Sequence, residues 1–166
     1  MIALILGGAR SGKSAVAEAV ASGLPAPVTY IATLDVGYDE ELAARVKQHQ
    51  ARRPSAWRTV QAGPDLAEVL REVTGSVLLD SLGPWVSAAP GMEVDVEALC
   101  SALADRNGDT VVVSEEVGLS VHPSTAEGRL FRDALGRLNQ AVAARADDVR
   151  FVVAGCTLQL VAPRAR

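Results

Sequence analysis

The octet Gly7-Gly8-Ala9-Arg10-Ser11-Gly12-Lys13-Ser14 satisfies the pattern GxxxxGK[ST] and brings a lysine and a hydroxyl together behind a glycine-rich loop. Such a loop holds a polyphosphate. Its glycines let main-chain N–H groups turn inward around phosphate oxygens, and a helix starting behind it adds the positive end of its dipole. In that arrangement Lys13 reaches the β and γ phosphates and Ser14 ligates Mg2+. Only Lys13 and Lys47 are lysines among the 16 basic residues, which argues that a lysine inside this loop is not incidental.

The metal of such a site calls for a second carboxylate, acting through water from the end of another strand. Asp80, closing the run Ser76-Val77-Leu78-Leu79-Asp80, is the candidate. Asp80 capping the following turn is one alternative; another gives the role, or a share of it, to Glu115 and Glu116 after Val111-Val112-Val113-Ser114. Thr33 ends the stretch YIAT and reads either as a polar contact to the nucleotide or as a strand-end cap.

Residues 39–50 read as a helix stopped before Pro54, with Glu41, Arg45 and His49 following one another at i+4 along one side. Arg52 and Arg53 come next, a basic cluster that suits an anion. A neutral imidazole nitrogen can attack phosphorus or carry a proton near neutral pH. On the residues alone, a lone helix histidine is more often a surface or packing residue. His122, before Pro123, reads as a loop residue.

Stepping out from these positions, apolar stretches of strand length lie at 2–6, 28–32, 76–80, 110–114 and 149–154. They are apolar throughout, as strands covered on both faces are. Helical patterns separate them: Ala15–Val20; Leu66, Val69, Leu70 and Val73 behind Pro64; Val96, Leu99 and Leu103; and Phe131 to Val142, entered by Ser124 and Glu127 at capping-box spacing. Gly128 and Gly136 weaken that last helix unless close packing selects them. The alternation predicts an α/β fold of the P-loop (RecA-like) type, a doubly wound, mostly parallel sheet with a short antiparallel C-terminal strand at Leu158–Val161. Residues 83–95 read as a loop. Ligands bind such sheets at the carboxyl ends of the strands, where the octet lies.

The length of 166 residues fits one domain, 1–166. A net charge of −4 argues against nucleic acid as a partner. No apolar run approaches a membrane span, and no signal peptide is recognisable. Cys100 and Cys156, far apart and outside any CxxC pair, read as reduced core residues of a cytoplasmic protein. The guanine-reading NKxD motif of switch GTPases needs a lysine after asparagine, and neither lysine has one.

The segments GGARSGKS, YIAT, DEELAARVKQHQARRPSAWRT, LLDSLGPWV, EVG followed by a proline, and FRDALGRLNQAVAARADDVRFVVAG resemble, in order and over nearly the whole chain, the bifunctional adenosylcobinamide kinase and adenosylcobinamide-phosphate guanylyltransferase family of cobalamin biosynthesis. The resemblance implies two reactions. In the first, the terminal phosphate of GTP or ATP passes to the aminopropanol hydroxyl of adenosylcobinamide. In the second, GTP gives GMP to that phosphate through a guanylylated histidine, which His49 matches in the context ARVKQHQARRP. Lys13, Ser14, Asp80 and Mg2+ would serve the first, with Arg52 and Arg53 neutralising phosphate charge in the second. A homotrimer with its active site near a subunit boundary is implied as well. A P-loop kinase without a covalent histidine step and a nucleotide-binding regulator without turnover are the alternatives.

This chain departs from the family pattern at three places. Glu115 stands where asparagine is typical, Gly83-Pro84 replaces a segment that often carries threonine, and Ala88-Ala89 replaces a nearby asparagine. A carboxylate beside phosphates repels them unless something compensates.

Overall fold

The computed structural model describes residues 1–33 and 53–161. Seven strands in these residues form one sheet in the order β3-β2-β4-β5-β1-β6-β7. They are β1 (Ile2–Gly7), β2 (Val28–Ala32), β3 (Arg58–Gln61), β4 (Ser76–Asp80), β5 (Thr110–Glu115), β6 (Asp148–Val153) and β7 (Cys156–Leu160). All neighbouring pairs are parallel except β6 with β7, which turn back on each other through Ala154 and Gly155, both at positive φ. The expected doubly wound sheet with an antiparallel last strand is therefore present.

Alternation along each strand divides the apolar side chains between two faces. Ile2, Leu4 and Leu6 of β1, with Ile31, Val77, Leu79 and Val112, pack under the helices α2 (Leu66–Glu72), α3 (Leu82–Ala88), α4 (Val96–Asp105) and α5 (Ala126–Ala143). Ala3, Ile5, Tyr30, Leu78, Val111 and Val113 face the other way, against Ala17 and Ala21 of α1 (Lys13–Ser22). Burial on both faces explains the continuous apolar runs. Arg106 fastens the lower edge: its guanidinium donates to the carbonyls of Leu70, Val73 and Gly75.

Several expectations are corrected. Residues 83–95 are not a continuous loop, because α3 and a 3-10 turn at Pro90–Met92 occupy most of them. Pro84 sits in the first turn of α3, where no intrahelical N–H bond is lost. The helix α5 is capped by Thr125, whose hydroxyl accepts from the Gly128 N–H, one residue later than the Ser124 spacing suggests. Cys100 is buried but Cys156 is exposed on the sheet edge, so only the first is a core residue. Close packing explains Gly128, where a Cβ would lie 3.0 Å from Pro123 Cβ, but not Gly136, which faces open space. The edge strand β3 has no apolar run to reveal it.

Candidate nucleotide-binding site

The parallel register sets the candidate residues side by side at one end of the sheet. Gly7, the first residue of the octet, pairs with Glu115 at the end of β5, and Ala32 pairs with Asp80 at the end of β4. Two glycines of the octet are sterically required. A Cβ on Gly7 would lie 2.4 Å from Ser11 Oγ and 2.8 Å from the Val152 carbonyl, and Gly12, which caps α1, has φ of +94°. Gly8 has open space, while Ala9 and Arg10 are exposed. The loop is braced from the sheet edge by the Gly155 N–H, which donates to the Ser11 carbonyl at 2.8 Å. Lys13 and Ser14 open α1, so the ammonium and the hydroxyl stand at the positive end of its dipole.

The departure at Glu115 and the departure at Gly83 turn out to be one feature. Glu115 Oε1 lies 3.5 Å from Lys13 Nζ and accepts from Ser81 Oγ at 2.9 Å, while Oε2 accepts from the Gly83 N–H at 3.0 Å. A Cβ at position 83 would stand 2.2 Å from Oε2, so glycine there makes the seat for the longer carboxylate. The compensating charge is Lys13 itself. Behind this seat, buried Asn139 of α5 accepts from Ser114 Oγ at 2.6 Å and donates to the Glu115 carbonyl at 3.0 Å, fixing the end of β5.

This coupling predicts a stability result. Gly83→Ala pushes the Glu115 carboxylate out of its seat in the wild-type chain, and losing its charge-assisted hydrogen bond from the residue 83 N–H costs about 1–3 kcal/mol. In a Glu115→Ala background the same change is neutral or gains up to about 1 kcal/mol from helix propensity. Urea unfolding of the four proteins measures it; an equal cost in both backgrounds contradicts the coupling.

Asp80 is held from the other side. Tyr30 Oη donates to Asp80 Oδ2 at 2.9 Å, and Arg53 stacks its guanidinium 3.2 Å from the centre of the Tyr30 ring. Burial, and after it the Asp80 charge, push the Tyr30 hydroxyl far above the ordinary phenol range, so it remains a donor. Arg53 Nε is buried with no hydrogen-bond partner among the described residues, a donor suited to an anionic oxygen. The Thr33 hydroxyl bonds the Ser81 backbone, donating to its carbonyl and accepting from its N–H. His49 and Arg52 lie outside the described residues. His122 is an exposed loop residue.

Beside Glu115 a cavity of about 390 Å3 is lined by Thr33, Gly83, Pro84, Ser87 and Phe131. A larger one, about 650 Å3, shares Thr33 and Ala88 with it and extends between Pro64, Trp85 and Val94. Among the described residues no group of three or more His, Cys, Asp or Glu side chains is arranged to hold a metal. The Ser14 hydroxyl and Asp80, which has one oxygen not engaged by Tyr30, are instead a donor set suited to Mg2+, an ion that keeps waters and relies on substrate phosphates.

A family model described as cobinamide kinase / cobinamide phosphate guanyltransferase matches residues 3–160. The chain belongs to this family. Two relatives agree along their length. The bifunctional adenosylcobalamin biosynthesis protein CobP of Pseudomonas aeruginosa is 40% identical over 95% of this chain and 95% of its own. The bifunctional adenosylcobalamin biosynthesis protein CobU of Salmonella typhimurium is 37% identical over 96% of this chain and 99% of its own. Among solved structures, an ATPase from a type III secretion system of pathogenic bacteria superposes with a TM-score of 0.58 at 13% identity, over 90% of this chain and 50% of that one. Protein PH0250 of Pyrococcus horikoshii OT3 superposes equally, with a TM-score of 0.58, at 8% identity over 95% of this chain and 84% of its own. These last two establish the fold alone.

For a member of the cobinamide kinase / cobinamide phosphate guanyltransferase family, the residues missed in the sequence are instructive. Tyr30 and Ser81 support Asp80 and Glu115, yet neither belongs to a motif. Strand parity was the available signal for Tyr30: it pairs with Leu78, two residues before Asp80, and so shares the face of Asp80.

Proposed function

We propose that this chain, as one P-loop domain, phosphorylates adenosylcobinamide and then transfers GMP from GTP to the product, giving adenosylcobinamide-GDP. The observation that carries the reading is the family match over residues 3–160, supported by Lys13 and Ser14 opening α1 behind the octet and Asp80 closing β4 at the same end of the sheet. In the first reaction the acceptor hydroxyl forms a bond to the terminal phosphorus while the bond to the bridging oxygen breaks, and the nucleoside diphosphate leaves with that oxygen. The octet's N–H groups and Lys13 hold the polyphosphate against the developing charge. Ser14 and Asp80 would hold Mg2+, which when bound neutralises phosphate charge. The cavity beside Glu115 and Phe131 gives the acceptor alcohol room next to Lys13.

In the second reaction a His49 nitrogen attacks the α-phosphorus of GTP and pyrophosphate leaves. An oxygen of the phosphorylated acceptor then displaces His49 and takes the GMP. Splitting the exchange this way makes two easier steps of one difficult one. Arg53, four residues beyond His49 and linked through Tyr30 to Asp80, supports this use of the segment, and Arg52 would share the phosphate charge. GTP serves the guanylyl step, with GTP or ATP in the first. The exposed apolar side chains of Val153, Leu158, Leu160 and Val161 along the open edge of the sheet support assembly into the homotrimer.

Incubation with adenosylcobinamide, GTP and Mg2+ tests the whole reading. The expected result is adenosylcobinamide phosphate followed by adenosylcobinamide-GDP. Protein that binds GTP and forms neither product would make it a nucleotide-binding regulator instead.

A further inference from the structure

Glu115 places an anion on the phosphate-binding lysine before any phosphate arrives. Its carboxylate pairs with the Lys13 ammonium at 3.5 Å and accepts hydrogen bonds from the Ser81 hydroxyl at 2.9 Å and the Gly83 N–H at 3.0 Å. Both partners of the ion pair are largely covered, with 12% of the Lys13 side chain and 25% of the Glu115 side chain exposed. The seat is shaped for this carboxylate, since a Cβ at position 83 would collide with Oε2.

The Ser81 and Gly83 bonds to Glu115 do not depend on Lys13, so a polyphosphate that takes the ammonium does not by itself release the carboxylate. The incoming phosphates then face a fixed negative charge. Like charges at such separations repel strongly in a partly desolvated site. A metal-free nucleoside triphosphate meets that repulsion in full. The Mg2+ complex of the same nucleotide carries two fewer negative charges, so the repulsion it would meet from Glu115 is smaller. The ordinary amide of the family pattern would make no such distinction.

We propose that Glu115 is a specificity-determining residue that selects the Mg2+ complex of a nucleoside triphosphate over the metal-free nucleotide. The inference rests on the reading that Lys13 binds the nucleotide's phosphates. It does not depend on what the acceptor is.

The test is calorimetric binding of a non-hydrolysable GTP analogue to wild type, Glu115→Gln and Glu115→Asn, once with Mg2+ and once with excess EDTA. The amide variants bind the metal-free analogue roughly tenfold or more tightly than wild type, and the Mg2+ complex within about threefold of it. Raising the salt concentration narrows the first difference by screening. Two amides of different length guard against one variant that packs badly, and a merely structural role would shift both forms of the analogue together. Equal shifts with and without Mg2+, or weaker metal-free binding in both amides, overturn the proposal. Wild type that binds the analogue in neither form overturns both this proposal and the proposed function. Mg2+-selective binding that is lost in the amides, in a protein that turns over no cobinamide substrate, supports the selectivity while the proposed function fails.

Discussion

Lys13→Ala lowers kcat/KM for phosphoryl transfer by roughly 10²- to 10³-fold. That is the cost of removing one donor aimed at charge that develops in the transition state. Lys13 opens α1 directly behind the octet, at the positive end of the helix dipole, and is the cation proposed to meet the polyphosphate. Its removal also leaves Glu115 facing the phosphates without a counter-charge. Nucleotide affinity therefore falls together with the rate. Lys13→Arg restores little, because a planar guanidinium does not reproduce a compact ammonium in a loop this tight. Steady-state assay of nucleoside diphosphate release measures the effect, and a rate within a few-fold of wild type would contradict the role.

His49→Ala lowers GMP transfer by roughly 10⁴-fold or more, the loss expected when a covalent nucleophile is removed. Phosphoryl transfer falls far less, because the proposed reaction assigns the γ-phosphorus to Lys13, Ser14 and Asp80 and not to His49. The split between the two activities is the diagnostic feature. Product analysis that follows adenosylcobinamide phosphate and adenosylcobinamide-GDP separately detects it. Retention of GMP transfer in the variant would mean direct attack of the acceptor phosphate on GTP, with no histidine intermediate.

The parts of this molecule that a sequence reveals are those whose physical constraint is local. The octet is legible because its φ values and close contacts are met within a few residues, and the strands because burial on both faces forces uninterrupted apolar runs. The helix α3 is hidden in the sequence because Gly83 and Pro84 are helix breakers in isolation. In the structure the proline occupies the tolerant first turn and the glycine answers to a residue 32 positions away. The same distance hides the site's charge balance. Glu115 beside phosphates looks like a defect until Lys13, Ser81 and Gly83 are seen around it. Thr33 reads either as a nucleotide contact or as a strand-end cap, and its hydrogen bonds to the Ser81 backbone, 48 positions away, lie beyond any local pattern. Tyr30 belongs to no motif because its hydroxyl acts on Asp80 of the neighbouring strand, 50 positions away.

The central claim is that one chain carries GMP covalently on His49. Wild-type protein is incubated with Mg2+ and GTP labelled at the α-phosphorus, in the absence of any corrinoid, and its peptides are then mapped by mass. The expected result is an acid-labile GMP adduct on the peptide containing His49, with pyrophosphate released. Protein that binds GTP yet carries no adduct, or carries it on another residue, would contradict the account.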